Sequence, residues 1–154
     1  MASTHSAARV TVFAPAPEEA LRIVDAGIGE FNARRAPLGD VQPLHVIAHD
    51  DTDTTVGGAV GRTWGRCCEL QQLWVAAEHR QQGIGSRLLE AFEREATARG
   101  CTLIYLDTFS FQAPAFYALR GYDEAFRVTG FTRDVAKLTL QKKIGAYREE
   151  GPTE

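Results

Sequence analysis

The stretch HRQQGIGSRLLEAFEREA, residues 79–96, decides the fold because a charged segment with two closely spaced glycines leads straight into a helical pattern. Glycine is a poor helix former, so two glycines at the start of a helix need an explanation. The apolar residues that follow recur every three or four positions, which predicts an amphipathic helix that begins near Ile84. Gly83 and Gly85 therefore belong either to a plain loop or to a cradle that lets a phosphate approach the helix N-terminus.

Two predicted strands flank this stretch. The segment CCELQQLWVA, residues 67–76, predicts a strand that ends near Ala76, and CTLIYLDTF, residues 101–109, predicts the next one after a helix that ends at Gly100. A strand–helix–strand unit of this kind implies a parallel pair of strands with the helix packed on the sheet. Because CTLIYLDTF is almost wholly apolar, we expect its strand to be covered on both faces.

The remaining segments predict an α/β (α+β) fold. Further strands are predicted at residues 9–15, 43–51, 55–64, 122–130 and 136–144, and further helices at 18–36 and 113–121. Gly27 and Gly29 leave open whether the first of these helices breaks into two. Short turns between the central strands imply antiparallel pairing. We therefore expect a central mixed, mainly antiparallel sheet of about six to seven strands, with helices on both faces.

Composition and length limit the possible classes of protein. The 154 residues suit a single domain over 1–154, with a core over about 9–144 and a flexible tail over 145–154. The net charge of −3 argues against a nucleic-acid partner. No apolar run suits a membrane span and the N-terminus has no apolar signal core, so we expect a cytoplasmic protein with no membrane partner. The three cysteines lack the spacing of a zinc site, and we expect no metal.

Two familiar phosphate-binding motifs do not fit the glycine stretch. A dinucleotide fingerprint needs a third glycine where Leu88 stands, and the Walker pattern needs Gly-Lys-Ser/Thr. The segment Arg-Gln-Gln-Gly-Ile-Gly, residues 80–85, instead resembles the acyl-CoA pyrophosphate loop of the GNAT superfamily of N-acyltransferases. The segment SFQAPAFYALRGYDEA, residues 110–125, resembles that family's Asn-x-x-Ala-x-x-Phe-Tyr-x-x-x-Gly-Phe segment. The resemblance is good over residues 69–122.

The resemblance implies acetyl-CoA as the acyl donor and assigns roles to individual residues. Backbone N–H groups from Gln81 to Ser86 would hold the pyrophosphate, and the backbone of Leu73 and Val75 would pair with the pantetheine arm. Ser110 departs from the family pattern, which has Asn at that position. The expected cofactor-binding residues are Leu73, Val75, Arg80, Gln81, Gln82, Gly83, Ile84, Gly85, Ser86, Ser110, Ala113 and Phe116.

Acetyl transfer to an amine needs a base, and Glu69 is the candidate. Some members of the family place a catalytic glutamate at this position. Strict strand alternation puts Glu69 on the same face as Leu73 and Val75, so its carboxylate would look into the cofactor cleft. The alternative is that Glu69 forms a cross-strand ion pair, in which case His45 is the reserve candidate.

Tyr117 is the candidate general acid. Its phenol has an ordinary pKa of about 10, so it is protonated at neutral pH and can donate to the departing thiolate. The alternative is a packed aromatic residue with no part in the chemistry. A backbone N–H near Val75 is expected to meet the oxyanion, and a cysteine nucleophile is not expected.

The resemblance implies an N-acetyltransferase that moves an acetyl group from acetyl-CoA to a primary amine of a small molecule, by direct attack in a ternary complex. Two alternatives stay open: a protein or peptide N-acetyltransferase, and a non-catalytic acyl-CoA sensor. The acceptor is expected between residues 18–35 and 129–137. A homodimer is a further expectation from the resemblance.

Overall fold

The computed structural model describes residues 8–146, which divide into two compact units after Leu38, and each unit is described by itself. The first unit holds one helix, α1 (Glu18–Ala33), which runs through Gly27 and Gly29 without a break. The prediction of a strand at residues 9–15 is wrong, because this segment is not part of the sheet and pairs with no strand in the described residues. Most of the predicted flexible tail, residues 147–154, lies outside the described residues.

The second unit is built on one six-stranded sheet. In chain order its elements are β1 (Gln42–His49), β2 (Thr55–Trp64), β3 (Cys67–Val75), α2 (Ile84–Ala98), β4 (Leu103–Phe109), α3 (Pro114–Ala118), β5 (Asp123–Val128) and β6 (Lys137–Lys143). The strands lie in the order β1-β2-β3-β4-β6-β5. Only β3 and β4 are parallel, since the other neighbours all pair antiparallel. The mixed, mainly antiparallel sheet predicted from the sequence is confirmed.

Helix α2 supplies most of the cover on one face of the sheet. It starts after Gly83 and ends before Gly100, and both glycines have the left-handed backbone that a side chain disfavours. Its apolar stripe packs on β1, β2 and β3. Phe92 is fully buried at the centre of this contact. The buried residues of the stripe are Ile84, Leu88, Leu89, Phe92 and Ala96.

Within residues 39–146, β4 is buried on one side only. Ile104, Leu106 and Thr108 point into the core, whereas Tyr105 and Asp107 on the opposite side are exposed. The strand therefore shows the alternation of a half-covered strand, and this unit does not supply the cover on both faces that we expected. Helix α3 is held to α2 by Arg120, just after its end. Helix cover of the second face stays a prediction.

A β-bulge in β3 positions the candidate site. Leu70 lies opposite Gly61 and Gln72 lies opposite Val60, so Gln71 is an extra residue without a partner on β2. An extra residue reverses the side-chain alternation beyond it. In addition, β3 pairs with β4 only over residues 67–70, against 103–106. Beyond Leu70 the two strands separate, and the edge of β3 toward β4 has no strand beside it in the described part of the chain.

Gly61 is required at this bulge because another backbone approaches it closely. A Cβ at Gly61 would lie 2.0 Å from the backbone oxygen of Glu69 and 2.7 Å from Cζ of Phe92. We expect Gly61→Ala to lower the free energy of unfolding by about 3 kcal/mol, as overpacking in a closed core does. Denaturant unfolding measures this change. Gly39→Ala is the matched control, since a Cβ there meets no atom within 4 Å. Equal unfolding midpoints for the two variants would contradict the prediction.

Candidate active site

Two clefts open where β3 and β4 separate. The loop cleft, of about 500 Å³, lies between the end of β3, the segment that leads into α2, and α3. The sheet cleft, of about 570 Å³, lies between residues 70–74 of β3 and residues 106–108 of β4. Both clefts are lined by Leu73, Trp74, Ala113 and Tyr117. The candidate site is therefore a continuous pair of clefts that share one wall.

The loop cleft contains the N-terminus of α2. Gly83 has φ 75° and ψ 6° and offers no side-chain cap, and the first turn closes with the Arg87 N–H donating to the Gly83 carbonyl. The N–H groups of residues 84–86 precede that bond, so they have no acceptor within the helix. Together with the positive end of the helix dipole, they form a site suited to an anion. This geometry favours the cradle over the plain loop.

Most of the expected cofactor-binding residues lie together here, and two do not. The loop cleft is lined by Leu73, Val75, Arg80, Gln81, Gly83, Ile84, Gly85, Ser86, Ala113 and Phe116. Gln82 lines neither cleft, and its side chain donates to the Glu78 carbonyl at 3.2 Å. Ser110 lines neither cleft as well, because its hydroxyl accepts the Ala136 N–H at 3.0 Å. Ser110 thus joins the end of β4 to the segment before β6.

The two arginines of the loop cleft differ from what the sequence indicates. Arg80, the expected positive charge, is exposed, and its Nε donates to the Val75 carbonyl at 2.9 Å. Arg120, which the sequence reasoning missed, is half-buried and stacks on the Phe116 ring, with Cζ 3.7 Å from the ring centroid. The signal in the sequence was the spacing of four between Phe116 and Arg120, which places both on one side of a helical turn.

Glu69 lines neither cleft. Its carboxylate pairs with Arg62 on β2, with 2.7 Å between Nε and Oε2, so the alternative of a cross-strand ion pair is what the structure contains. The prediction that Glu69 shares a face with Leu73 and Val75 is wrong. The bulge at Gln71 lies between them and turns the later residues to the opposite face. His45, on β1, lines neither cleft as well.

Tyr117 is one of the four residues that line both clefts. It is 9% exposed, and its ring makes edge contacts with the rings of Phe116 and Tyr122. Burial raises the pKa of the Tyr117 phenol above its ordinary value. Its hydroxyl makes no hydrogen bond to any side chain within residues 8–146. A protonated phenol without a side-chain hydrogen bond in the described part of the chain therefore stands at the junction.

The sheet cleft is polar, and the carboxylate of Asp107 in its lining is paired with Lys137 at 2.8 Å. Its lining includes the side chains of Gln71, Gln72 and Asp107, and the exposed indole of Trp74, and no lysine or arginine of the described residues lines it. Asp107 is ionised, because its hydrogen bonds with Lys137 and then Thr139 lower its pKa. The cleft thus combines carboxamides, a carboxylate and an aromatic surface, which are groups that bind polar or cationic molecules.

The cysteines lie apart from this chemistry. Cys68 and Cys101 are buried, and burial raises the pKa of the Cys68 thiol to about 12. A thiol of this kind stays protonated and is a poor nucleophile.

None of the helices within residues 8–146 has the length and apolar character that a membrane span requires.

Comparison with known proteins agrees with this geometry. Residues 12–122 match the Acetyltransferase (GNAT) family. Blasticidin-S acetyltransferase of Streptomyces morookaense is 32% identical over 115 residues, which cover 72% of this chain and 85% of that protein. An acetyltransferase from Bacillus cereus is 25% identical with a TM-score of 0.72, covering 87% and 98% of the two chains. Nourseothricin acetyltransferase is 26% identical with a TM-score of 0.56, covering 68% and 65%. The chain belongs to the GNAT family of acetyltransferases.

Proposed function

We propose that this chain transfers an acetyl group from acetyl-CoA to a primary amine of a small molecule. The observation that carries this proposal is the junction of the loop cleft and the sheet cleft at Tyr117. One cleft suits a phosphate-bearing donor, the other suits a polar acceptor, and an acid stands between them. Direct attack requires donor and acceptor to be bound together, and two clefts with a common wall allow this.

The residues present fit acetyl-CoA. The free N–H groups of residues 84–86 would hold its diphosphate, and the unpaired edge of β3 at Leu73 and Val75 would hydrogen-bond the pantetheine arm as an added strand does. Gly85 leaves room for close approach, since a Cβ there would meet Phe116 only at ordinary contact distance. When bound, acetyl-CoA supplies the acetyl thioester that the amine attacks.

Tyr117 acts in this proposal as the general acid. The pKa of Tyr117 is raised, so its proton is present throughout the neutral range and is lost only at alkaline pH above the ordinary value of about 10. Its position in both clefts suits a donor to the departing thiolate. A backbone N–H near Val75, beside the loop cleft, is the proposed donor to the oxyanion.

The proposed base is Glu69 acting through water. Its carboxylate lines neither cleft and is paired with Arg62, so direct contact with the attacking amine has no support in the geometry. A water held between carboxylate and amine would carry the proton. His45 stays the reserve candidate.

A small-molecule acceptor is supported by the sheet cleft and by the relatives. The cleft lining includes Gln71, Gln72 and Trp74, which suit a polar amine, while the carboxylate of Asp107 is already paired with Lys137. Two of the similar proteins are named for blasticidin S and nourseothricin. Blasticidin S is therefore the first acceptor to test. The cytoplasmic location and the homodimer stay predictions from the sequence.

The test is an acetyl-transfer assay on the purified full chain. Acetyl-CoA is incubated with blasticidin S, with nourseothricin, or with an unstructured peptide that has a free N-terminus and one lysine. Free thiol release and the mass of the acceptor are followed together, with a no-acceptor reaction as the control for hydrolysis. We expect one acetyl group on at least one of the two small molecules. Acetylation of the peptide alone supports the peptide alternative, and donor binding without any transfer supports the sensor.

A further inference from the structure

Arg120 places a positive charge in the loop cleft that no carboxylate neutralises within residues 8–146. It is half-buried, and no ion pair joins it to an aspartate or glutamate of this part of the chain. Its two hydrogen bonds go to neutral oxygens, the Phe116 carbonyl at 2.7 Å and the Ser86 hydroxyl. A partly buried cation without a counter-ion favours the binding of an anion.

The hydrogen-bond geometry of Arg120 leaves donors for a ligand. A guanidinium has five N–H donors, and Arg120 uses Nη1 for Phe116 and Nη2 for Ser86. Stacking on the Phe116 ring fixes the plane of the group, so its remaining N–H bonds point from a held position. A rigid, planar donor set of this kind matches the oxygens of a phosphate.

Arg120 lies beside the free N–H groups of α2, because Ser86 belongs to the first turn of that helix. Arg80 differs in exposure and in position. It is exposed, where water screens its charge, and its Nε bond to the Val75 carbonyl holds it at the end of β3. Of the two arginines that line the loop cleft, Arg120 therefore carries the charge that counts more for an anion bound there.

We propose that Arg120 is a specificity residue that binds the diphosphate of the acyl donor, and that Arg80 instead holds the end of β3 in place. Ser86 positions Arg120 through its hydroxyl. This inference rests on the proposed use of acetyl-CoA. It concerns binding alone, so it can be tested separately from acetyl transfer.

The test is calorimetric titration of the full-length protein with CoA. We expect Arg120→Gln to raise the Kd for CoA by about 10- to 100-fold, as the loss of charged hydrogen bonds does. Arg80→Gln should change the Kd no more than a few-fold. Arg87→Gln is the matched control, because it also removes one positive charge. Arg87 is exposed, follows Ser86 in the first turns of α2, and lies outside the loop cleft.

Two truncated donors identify the group that Arg120 binds. With S-acetylpantetheine, which has no phosphate, wild type and Arg120→Gln should have the same Kd. With dephospho-CoA, which keeps the diphosphate and lacks the 3′-phosphate, the loss in Arg120→Gln should persist. A loss that also appears with S-acetylpantetheine would show that Arg120 only shapes the fold. A loss that disappears with dephospho-CoA would assign Arg120 to the 3′-phosphate and overturn the proposal.

Thermal unfolding without ligand checks that the variants fold. Arg120→Lys is the second variant, since it keeps the charge without the planar fork. It should recover part of the affinity for CoA.

An Arg80→Gln variant that binds CoA worse than Arg120→Gln would also overturn the proposal. If wild type binds CoA with this dependence on Arg120 and yet acetylates no acceptor, the proposed function fails and the assignment of Arg120 stands.

Discussion

Gly83→Glu is expected to abolish measurable binding of acetyl-CoA. The new carboxylate would stand at the N-terminus of α2, where the diphosphate is proposed to lie. Two like charges about 4 Å apart repel by about 4 kcal/mol at an effective dielectric constant of about 20, which is about 1000-fold in Kd. Calorimetric titration with acetyl-CoA measures the change. An affinity equal to that of wild type would eliminate the diphosphate site at Gly83.

Gly100→Glu separates this effect from backbone strain. Gly100 has φ 85°, close to the φ of 75° at Gly83, and a Cβ at either position meets no atom within 4 Å. Both substitutions therefore place a glutamate in a left-handed backbone, at opposite ends of α2. Gly100→Glu should lose stability and keep its affinity for acetyl-CoA. If both variants lose affinity equally, strain in α2 and not the diphosphate site explains the loss.

Tyr117→Phe is expected to lower kcat by about 100-fold or more if proton donation to the thiolate limits the reaction. The ring stays, so its contacts with Phe116 and Tyr122 are kept and the KM for acetyl-CoA should change little. Steady-state kinetics with a responsive acceptor measure both constants. A variant with the kcat of wild type would remove Tyr117 as the acid that affects the rate.

Tyr105→Phe is the matched control for this variant. Tyr105 lies on β4, lines neither cleft, and has a phenol whose pKa is also raised, because its exposed side chain is still partly desolvated. Loss of its hydroxyl should leave kcat unchanged. An equal fall in kcat for Tyr105→Phe would point to a general effect of removing a phenol from this unit.

Most elements of the fold could be predicted because local sequence determines them. The stripe of α2 and the glycines at its two ends fix both the type of the element and its bounds. The short turns fix the antiparallel pairing of β1, β2 and β3, and the helix between β3 and β4 fixes their parallel pairing. The segment at residues 9–15 shows the limit. It has the alternation of a strand, and alternation cannot supply the partner that a strand needs.

The position of Glu69 could not be predicted, because a bulge leaves no reliable mark in a single sequence. Counting by twos from Glu69 to Val75 assumes that every residue has a partner, and Gln71 has none. One unpaired residue is enough to place the two side chains on opposite faces. The one indication of the bulge in the sequence was Gly61, because the absence of a side chain there lets the backbone of Glu69 approach closely.

The position of Arg120 shows a second limit of prediction from the sequence. The motif includes Arg80, which lines the loop cleft as expected, but its hydrogen bond to the Val75 carbonyl depends on the tertiary structure. Arg120 comes from a different element, and only the packing of α3 on α2 brings it to Ser86. Sequence spacing can show neighbours on one helix, but it cannot show which side chains of two helices meet.

In the proposed function, the separation of β3 from β4 also divides how the two substrates are recognised. The open edge of β3 and the first turn of α2 offer main-chain groups, which every residue except proline supplies in the same form. The sheet cleft offers side chains such as Gln72, Trp74 and Asp107, which change with each mutation. In the proposed function, the main-chain part of donor recognition is thereby buffered against sequence drift, whereas the Arg120 contact and acceptor recognition are exposed to it. On this proposal, substitutions that line the sheet cleft are expected to change the acceptor amine more readily than the acyl donor.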